Sequence, residues 1–356
     1  MDRRAFLKTT AASAVLPWHA AFAGSDWRTY QVVTRVEILK PQGVSRAWLP
    51  LPLKEDTPWQ RDLGSQWSGN AARTQVLPDG KYGVTMLFAE WKGGAPVLEL
   101  TSRFATRDNA VDLSRPPSDA ARLSAAEREF YTAPSEFIPT DGIVRDTAQG
   151  IVKGARSDVD KARAIYEWVV DNTFRDPKVR GCGWGDIKSM LETRNFGGKC
   201  GDLNAMFVGL ARAVGVPSRD VYGLRVAPSA HGYRSLGVGT PNVTRAQHCR
   251  AEFFAQGYGW VPVDPADVRK VVLEEPPGRL SGGDPKVAAA RRRLFGSWEM
   301  NWLAYNMGHD IELPQSSGGP KLPYLMYPNG ETAGERLDPL DPDTFKYTIT
   351  ATEVKA

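Results

Sequence analysis

The chain has few of the residues on which metal and redox sites depend: its 356 residues include only 3 cysteines and 4 histidines. It contains no C-x-x-C pair and no closely spaced histidine pair, so we expect no bound metal and no other cofactor. No calcium-loop signature occurs either. No basic cluster in the sequence suggests nucleic acid, which is therefore not an expected partner.

The first 23 residues are ordered like an export signal. Arg3 and Arg4 precede a mildly apolar stretch at 9–16, and the small-x-small sequence Ala-Phe-Ala follows at 21–23. This order resembles a twin-arginine signal peptide over residues 1–23, with an amphipathic first helix as the alternative. No later apolar run reaches the roughly 18 residues of a membrane helix. We therefore expect a periplasmic protein with no stable membrane insertion after cleavage.

Residues 24–107 carry the pattern of β-strands. Runs rich in Val, Thr and Ile alternate with turn residues such as the Pro-Asp-Gly at 78–80, and they predict a β-sandwich-like domain. Its tryptophans are Trp48, Trp59, Trp67 and Trp91. These rings could line a peptide or glycan groove, although buried packing is the more common use of tryptophan.

Residues 108–141 are rich in Pro, Ser, Ala and charge, and they predict a linker with one short helix at 125–131. The segment 142–275 then changes to a mixed helix and strand pattern. In it, Ser157 begins a capping-box pattern for a helix that ends near Asn172. A second, short helix is predicted after Asp186.

Residues 276–356 form a C-terminal extension that is harder to interpret. The stretch 288–306 has helical character, and 345–354 alternates as a strand. Loops rich in Gly and Pro at 275–284 and 314–323 are predicted at the surface, where one of them could act as a lid over a cleft.

An apolar stripe of helical spacing follows Cys200. Its members are Leu203, Met206, Phe207, Leu210 and Val214. Gly215 ends the helix, so Cys200 lies at its start, where the helix dipole and free N–H groups stabilise a thiolate. The same N–H groups could bind a developing oxyanion, and the Gly197-Gly198 pair would let a substrate backbone approach closely.

A β-hairpin is predicted around Gly257, where a left-handed residue suits a three-residue loop. In the expected register Phe254 faces Tyr258, and counting outward places His248 opposite Asp264. A carboxylate beside the imidazole would hold its tautomer and stabilise the imidazolium. Pro262 lacks an N–H, so its strand should be bulged or lie at a sheet edge.

Three segments carry a family resemblance. They are Gly-Gly-Lys-Cys-Gly-Asp at 197–202, Gln-His at 247–248 and Gly-Tyr-Gly-Trp-Val-Pro-Val-Asp-Pro at 257–265. Over about 158–268 they resemble bacterial transglutaminase-like proteins. The resemblance implies an α+β, papain-like core in which a cysteine helix packs on an antiparallel sheet. It also implies that Cys200 is the nucleophile, His248 its base and Asp264 the residue that orients the base.

The resemblance also suggests roles for residues around this triad. Trp184 matches the family's upstream tryptophan, which makes it an oxyanion or cleft-wall candidate, with plain packing as the alternative. The other oxyanion or cleft candidates are Gly198, Lys199 and Gln247. Cys249 and Arg250 depart from the usual small residue and aromatic after the histidine, which affects the pocket floor.

Cysteine pairing is left open by the sequence. In an oxidising compartment a bridge between Cys182 and Cys249 would leave Cys200 free, and three free thiols are the alternative.

Taken singly, a buried cysteine, a strand histidine and an aspartate before proline have common structural uses. Together they predict thiol-dependent amide or acyl chemistry by Cys200, His248 and Asp264. We expect hydrolysis of a peptide, protein or cell-wall-type amide through an acyl-thioester. The alternatives are acyl transfer to an amine, and a non-catalytic periplasmic module that binds peptide or glycan.

Overall fold

The computed structural model describes residues 26–115, 117–118 and 121–354, so the predicted signal peptide at 1–23 lies outside the described residues. The strands are β1 (Arg28–Ile38), β2 (Ser45–Pro50), β3 (Gln60–Gly69), β4 (Arg73–Pro78), β5 (Thr85–Trp91), β6 (Val97–Thr106), β7 (Asn109–Ala110), β8 (Phe174–Arg175), β9 (Gly197–Gly198), β10 (Ser218–Arg225), β11 (Gln247–Ala255), β12 (Gly259–Val263), β13 (Ser297–Trp298), β14 (Trp302–Asn306), β15 (Asn329–Thr332), β16 (Glu335–Leu337) and β17 (Phe345–Val354). The helices are α1 (Ala125–Thr132), α2 (Gly142–Ile151), α3 (Asp158–Asn172), α4 (Ile187–Thr193), α5 (Cys200–Ala213), α6 (Pro265–Glu274) and α7 (Pro285–Arg293).

Two antiparallel sheets pack face to face in the β-rich part. Their strand orders are β17-β1-β6-β3 and β16-β15-β2-β5-β4. Apolar side chains of both sheets share one core, in which Val36 and Leu98 of the first meet Leu49 and Leu87 of the second. Strands from the end of the chain therefore complete both sheets of the β-sandwich-like unit. The predicted strand at 345–354 is confirmed as β17.

The second part is an α+β core around α5. Side chains from Cys200 to Arg212 are buried along this helix, because α2, α3, α4 and α6 surround it and the sheet β12-β11-β10-β14 covers another side. This arrangement confirms the predicted cysteine helix on an antiparallel sheet. Among the described residues, no helix combines the length and apolar character that a membrane crossing requires.

The local capping predictions hold for two helices. The Ser157 hydroxyl accepts the Asp160 N–H at 3.1 Å, and the Asp160 carboxylate accepts the Ser157 N–H at 3.1 Å. Asp186 accepts the Ser189 N–H at 3.0 Å at the start of α4. Both helices therefore begin where their side chains satisfy otherwise free N–H groups.

The predicted helical character at 288–306 is only partly correct. Helix α7 ends at Arg293, and the left-handed backbone at Gly296, with φ of 115°, leads into β13 and β14. Strand β14 pairs with β10, so sheet hydrogen bonds replace the helical ones. The spacing of large side chains there suits either structure, and pairing with a distant strand decided between them.

The hairpin register differs from the prediction by two positions. Phe254 pairs with Trp260 and Ala255 with Gly259, so the loop comprises residues 256–258. Gly257 and Gly259 both have positive φ, which places the turn one residue later than predicted. Strand β12 is an edge strand, as expected from Pro262.

Candidate active site

Cys200 is the first residue of α5. The backbone around it is fixed by hydrogen bonds to the carboxylate of Asp202. One carboxylate oxygen of Asp202 accepts the Lys199 N–H at 2.9 Å. The other accepts the N–H groups of Trp184 and Gly185, each at 3.0 Å. A single buried carboxylate therefore ties the 183–185 loop to the helix start that carries the nucleophile.

Glycines next to Cys200 are needed for packing within the chain. A Cβ at Gly198 would lie 2.6 Å from Cβ of Asp202, and one at Gly197 would lie 2.6 Å from the Phe174 ring. Gly198 is buried. Both glycines are therefore required by packing within the chain, and close approach of a substrate backbone to this pair stays a prediction.

His248 and Asp264 are in direct contact despite the shifted register. Nε2 of His248 lies 2.8 Å from Oδ2 of Asp264, and both side chains are buried. Strand β12 ends at Val263, so Asp264 turns out of the ladder as the N-cap of α6, where it accepts the Asp267 N–H at 3.0 Å. The aspartate thus caps a helix and orients the imidazole at the same time.

Cys200 and His248 line the same cavity, and the imidazole is among the groups that lower the pKa of the thiol, after Cys182 and Cys249. Because Asp264 engages Nε2, Nδ1 is the ring nitrogen that remains for the sulfur. The structure therefore brings together the three residues predicted as nucleophile, base and orienting carboxylate, which are Cys200, His248 and Asp264.

Two further charged groups surround the imidazole. Oδ2 of Asp267 lies 3.4 Å from Nε2 of His248, and Asp267 also pairs with the buried Arg225 at 2.5 Å. Burial and Arg225 lower the pKa of His248, but Asp267 and Asp264 outweigh them, and the pKa rises to about 9. At neutral pH His248 is therefore an imidazolium.

The three cysteines are free thiols and form one cluster, so the predicted bridge between Cys182 and Cys249 is absent from the described structure. Sγ of Cys249 lies 3.7 Å from Sγ of Cys200. Hydrogen bonds from Cys182 and Cys249, followed by His248, bring the pKa of the Cys200 thiol well below its usual value, although burial opposes this shift. Conversely, the pKa values of Cys182 and Cys249 are raised. The main cause is burial for Cys249 and the interaction with Cys200 for Cys182. Sγ of Cys249 donates to the Cys200 sulfur, whereas Sγ of Cys182 donates to the Gln247 carbonyl at 3.5 Å.

Arg250, which departs from the family pattern, is buried behind the histidine and does not line the cavity beside Cys200. Its Nη1 donates to the Glu299 carbonyl at 2.9 Å, its Nε lies 3.8 Å from Asp264, and its guanidinium lies 4.7 Å from the Trp302 ring centroid. Arg250 therefore supports the orienting carboxylate, and the expectation that it shapes the pocket floor is corrected.

A cleft of 450 Å³ opens onto the nucleophile. Cys200, His248, Lys199 and Gln247 line it. An adjoining cavity of 380 Å³ contains Trp184, whose side chain is 64% exposed. The cavities share wall residues Arg180, Gly181, Tyr327 and Leu340. Trp184 thus belongs to the neighbouring, more apolar cavity and not to the wall beside the sulfur.

Oxyanion donors are available at the helix start. Within the described residues, the Cys200 N–H makes no hydrogen bond, whereas the Gln247 side-chain amide donates to the Thr244 carbonyl at 3.1 Å. The backbone N–H of the nucleophile is therefore the donor best placed for an oxyanion, and Gln247 serves as a cleft wall.

Two groups of side chains are close enough to hold a metal ion: the three cysteine sulfurs, and His248 with Asp264 and Asp267. In each group the candidate ligand atoms lie within 4.8 Å of one another. The second group is engaged by Arg225 and by the histidine hydrogen bond, so its charges are already compensated.

The sequence prediction missed Asp202, Asp267, Arg225 and Asn204. Asn204 donates to the Cys249 carbonyl at 2.8 Å and approaches Asp264 at 3.4 Å. A signal existed for the two aspartates, because each occupies the third position of a helix whose start carries a catalytic residue. Arg225 carried no such signal, since it comes from a separate strand.

Comparison with known proteins found a matching family and a similar protein sequence. The model of the transglutaminase-like superfamily matches residues 145–265. An uncharacterized protein of Haemophilus influenzae is 36% identical over 343 residues, which cover 91% of each chain.

Solved structures extend the comparison. A "putative cysteine protease" of Cytophaga hutchinsonii has a TM-score of 0.56 at 11% identity, covering 93% of this chain and 92% of that chain, which shows a shared fold. The periplasmic domain of TgpA from Pseudomonas aeruginosa has a TM-score of 0.32 at 15% identity, covering 68% of this chain and 88% of that domain.

Proposed function

The chain belongs to the transglutaminase-like superfamily, and from this premise we propose that it hydrolyses a peptide or isopeptide bond through an acyl-thioester on Cys200. The observation that carries the proposal is the buried contact of 2.8 Å between His248 and Asp264, beside a cysteine at a helix start. That arrangement supplies an activated nucleophile, a proton carrier and an orienting carboxylate.

The first half of the reaction forms the thioester. The Cys200 thiolate attacks the amide carbonyl carbon, and the new oxyanion accepts a hydrogen bond from the Cys200 N–H. The imidazolium of His248 then donates its proton to the amide nitrogen. The C–N bond breaks, the amine leaves, and the acyl group stays on sulfur.

The second half returns the enzyme to its starting state. Water replaces the amine, and neutral His248 takes a proton from it as its oxygen attacks the thioester carbon. The C–S bond then breaks, which releases the carboxylic acid and restores the Cys200 thiolate beside the His248 imidazolium. Attack by an amine in place of water would form a new amide, which is the transfer alternative.

The cleft supports a peptide-like substrate. Two neighbouring cavities of 450 and 380 Å³ share part of their walls, and the first, which Cys200 lines, is large enough for a peptide segment. We propose peptides, proteins or cell-wall-type amides as substrates. We propose that the enzyme acts in the periplasm, and the export-signal pattern at Arg3-Arg4 supports this location.

The test combines thiol reactivity with turnover. Iodoacetamide should alkylate Cys200 faster than an ordinary thiol at neutral pH, and His248→Ala should slow that reaction. Digestion of a peptide library or of cell-wall peptides should stop in Cys200→Ala, with Lys153→Gln as an exposed control. If Cys200 reacts like a free thiol and His248→Ala changes nothing, the catalytic proposal fails and the binding-module alternative gains support. Adding a small amine and weighing the products separates hydrolysis from transfer.

A further inference from the structure

We propose that the cleft beside Cys200 recognises a carboxylate on the amide substrate, bound by Lys199 and Arg245; this inference rests on the proposed amide cleavage. Six basic residues line the 450 Å³ cavity: Arg175, Arg180, Lys199, Arg225, Arg245 and Lys270. Among the described lining residues there is no aspartate or glutamate. The cavity wall is therefore strongly positive, although the whole chain has a formal net charge of only +4.

Four of these basic residues already have acidic partners. Arg225 pairs with Asp267 at 2.5 Å, and Arg180 with Asp338 at 2.6 Å. The other two, at positions 175 and 270, share the single carboxylate of Glu274. Three carboxylates thus serve four cations, which leaves one positive charge uncompensated in this set.

Lys199 and Arg245 make no ion pair within the described residues. Lys199 is half-buried and directly precedes Cys200, whereas Arg245 is exposed and lies three residues before His248. Their positions place two unpaired cations on the wall that surrounds the reacting groups. The thiolate does not neutralise them, because the imidazolium of His248 already compensates its charge.

A concave wall with excess positive charge concentrates anions and holds them near the reacting atoms. The guanidinium of Arg245 presents paired N–H donors that match a carboxylate, and the Lys199 ammonium adds a second charge-assisted donor. In a peptide amide, the anionic group that such a wall can bind is a carboxylate of a side chain or of the chain end.

The first experiment compares two alkylating agents of similar size and different charge. Iodoacetate and iodoacetamide are reacted with Cys200, and mass spectrometry assigns the modified cysteine. We expect the ratio of the iodoacetate rate to the iodoacetamide rate to fall about fivefold in the double variant Lys199→Gln, Arg245→Gln, and to fall with added salt. The double variant Lys153→Gln, Arg156→Gln removes two exposed charges elsewhere and should keep the ratio. An unchanged ratio in the cleft variant overturns the inference.

The second experiment does not depend on a reactive thiol. Cys200→Ala protein is titrated with N-acetylglutamate, which carries a side-chain and an α-carboxylate, and with N-acetylglutamine amide, its neutral analogue that carries neither. We expect tighter binding of the glutamate, and loss of that preference when Lys199→Gln and Arg245→Gln are added. Equal binding of both ligands by Cys200→Ala overturns the inference, whatever the turnover results are. A preference for glutamate in a protein without hydrolytic activity would support the carboxylate site and refute only the proposed hydrolysis.

Discussion

Oδ2 of Asp267 lies 3.4 Å from Nε2 of His248, so the imidazole faces a second carboxylate besides its orienting one. The buried charges around the ring then balance. Arg225, Arg250 and the imidazolium supply three positive charges, and Asp264, Asp267 and the Cys200 thiolate supply three negative ones. Proton transfer from Cys200 to His248 therefore leaves this buried set neutral, and the lowered pKa of the thiol with the raised pKa of the imidazole favours the thiolate–imidazolium form.

The alkaline limit of activity should follow His248. Because its pKa is raised to about 9, the imidazolium that protonates the leaving amine is lost as the pH rises through that value. Asp267→Asn removes one of the carboxylates that raise this pKa, so the alkaline limb of kcat/KM should move to lower pH by about one unit. Glu192→Gln, on the surface of α4, is the control and should leave the limb in place. A limb that does not move in Asp267→Asn would contradict the assigned cause.

The raised pKa of His248 should also make the free energy of unfolding depend on pH. A histidine whose pKa is higher in the folded than in the unfolded protein stabilises the fold fully below its unfolded pKa, near 6.5. That contribution disappears as the pH rises through about 9. Urea unfolding of the wild-type protein and of His248→Gln between these pH values should therefore converge, and parallel curves would argue against a raised pKa.

Cys249 should control the acidity of the nucleophile. Its thiol lies 3.7 Å from the Cys200 sulfur and lowers the pKa of Cys200 as a hydrogen-bond donor. Cys249→Ala removes the donor, so thiolate formation followed by ultraviolet absorbance should shift to higher pH. Cys249→Ser keeps a donor of similar size and should restore most of the effect. Equal titrations of both variants would show that the hydrogen bond is unimportant.

Asp202 should be needed for both folding and catalysis. In Asp202→Asn the new amide group must face at least one of the three backbone N–H groups that the carboxylate accepts, which costs about 1–3 kcal/mol of unfolding free energy. Displacement of the helix start should also lower kcat about tenfold or more. The matched control is Asp160→Asn, which changes the same helix position in α3 at an exposed site. Activity that survives in Asp202→Asn would show that Cys200 does not depend on the hydrogen bonds that the Asp202 carboxylate accepts.

Phe345 should be essential to the β-sandwich-like unit, although it lies near the end of the chain. Its side chain is 1% exposed and packs among residues of both sheets. Phe345→Ala should therefore lower the unfolding free energy by about 3–5 kcal/mol, as for other buried aromatic truncations. The neighbouring Lys346 is exposed, and Lys346→Ala should change stability by no more than about 0.5 kcal/mol. Similar denaturant midpoints for both variants would mean that β17 adds little to the fold.

The hairpin illustrates how far residue counting can reach. The run 247–255, the turn and the edge position of Pro262 were predictable, because each depends on local composition. The register was not, since Gly257 and Gly259 could each supply the left-handed residue of the turn. His248 and Asp264 nevertheless meet, because the aspartate leaves the strand as a helix cap, which strict ladder counting does not represent.

Local periodicity and capping chemistry determined the helix that begins at Cys200, the capping pair at Ser157, and the order of nucleophile, base and carboxylate along the chain. These features depend on residues only a few positions apart, whose interactions are already present in the sequence. Tertiary structure alone decided that Arg225 joins Asp267, that Cys249 meets Cys200 as a free thiol, and that β17 completes the first sheet. Each of these contacts joins residues that are distant along the chain, and their approach depends on how whole sheets and helices pack.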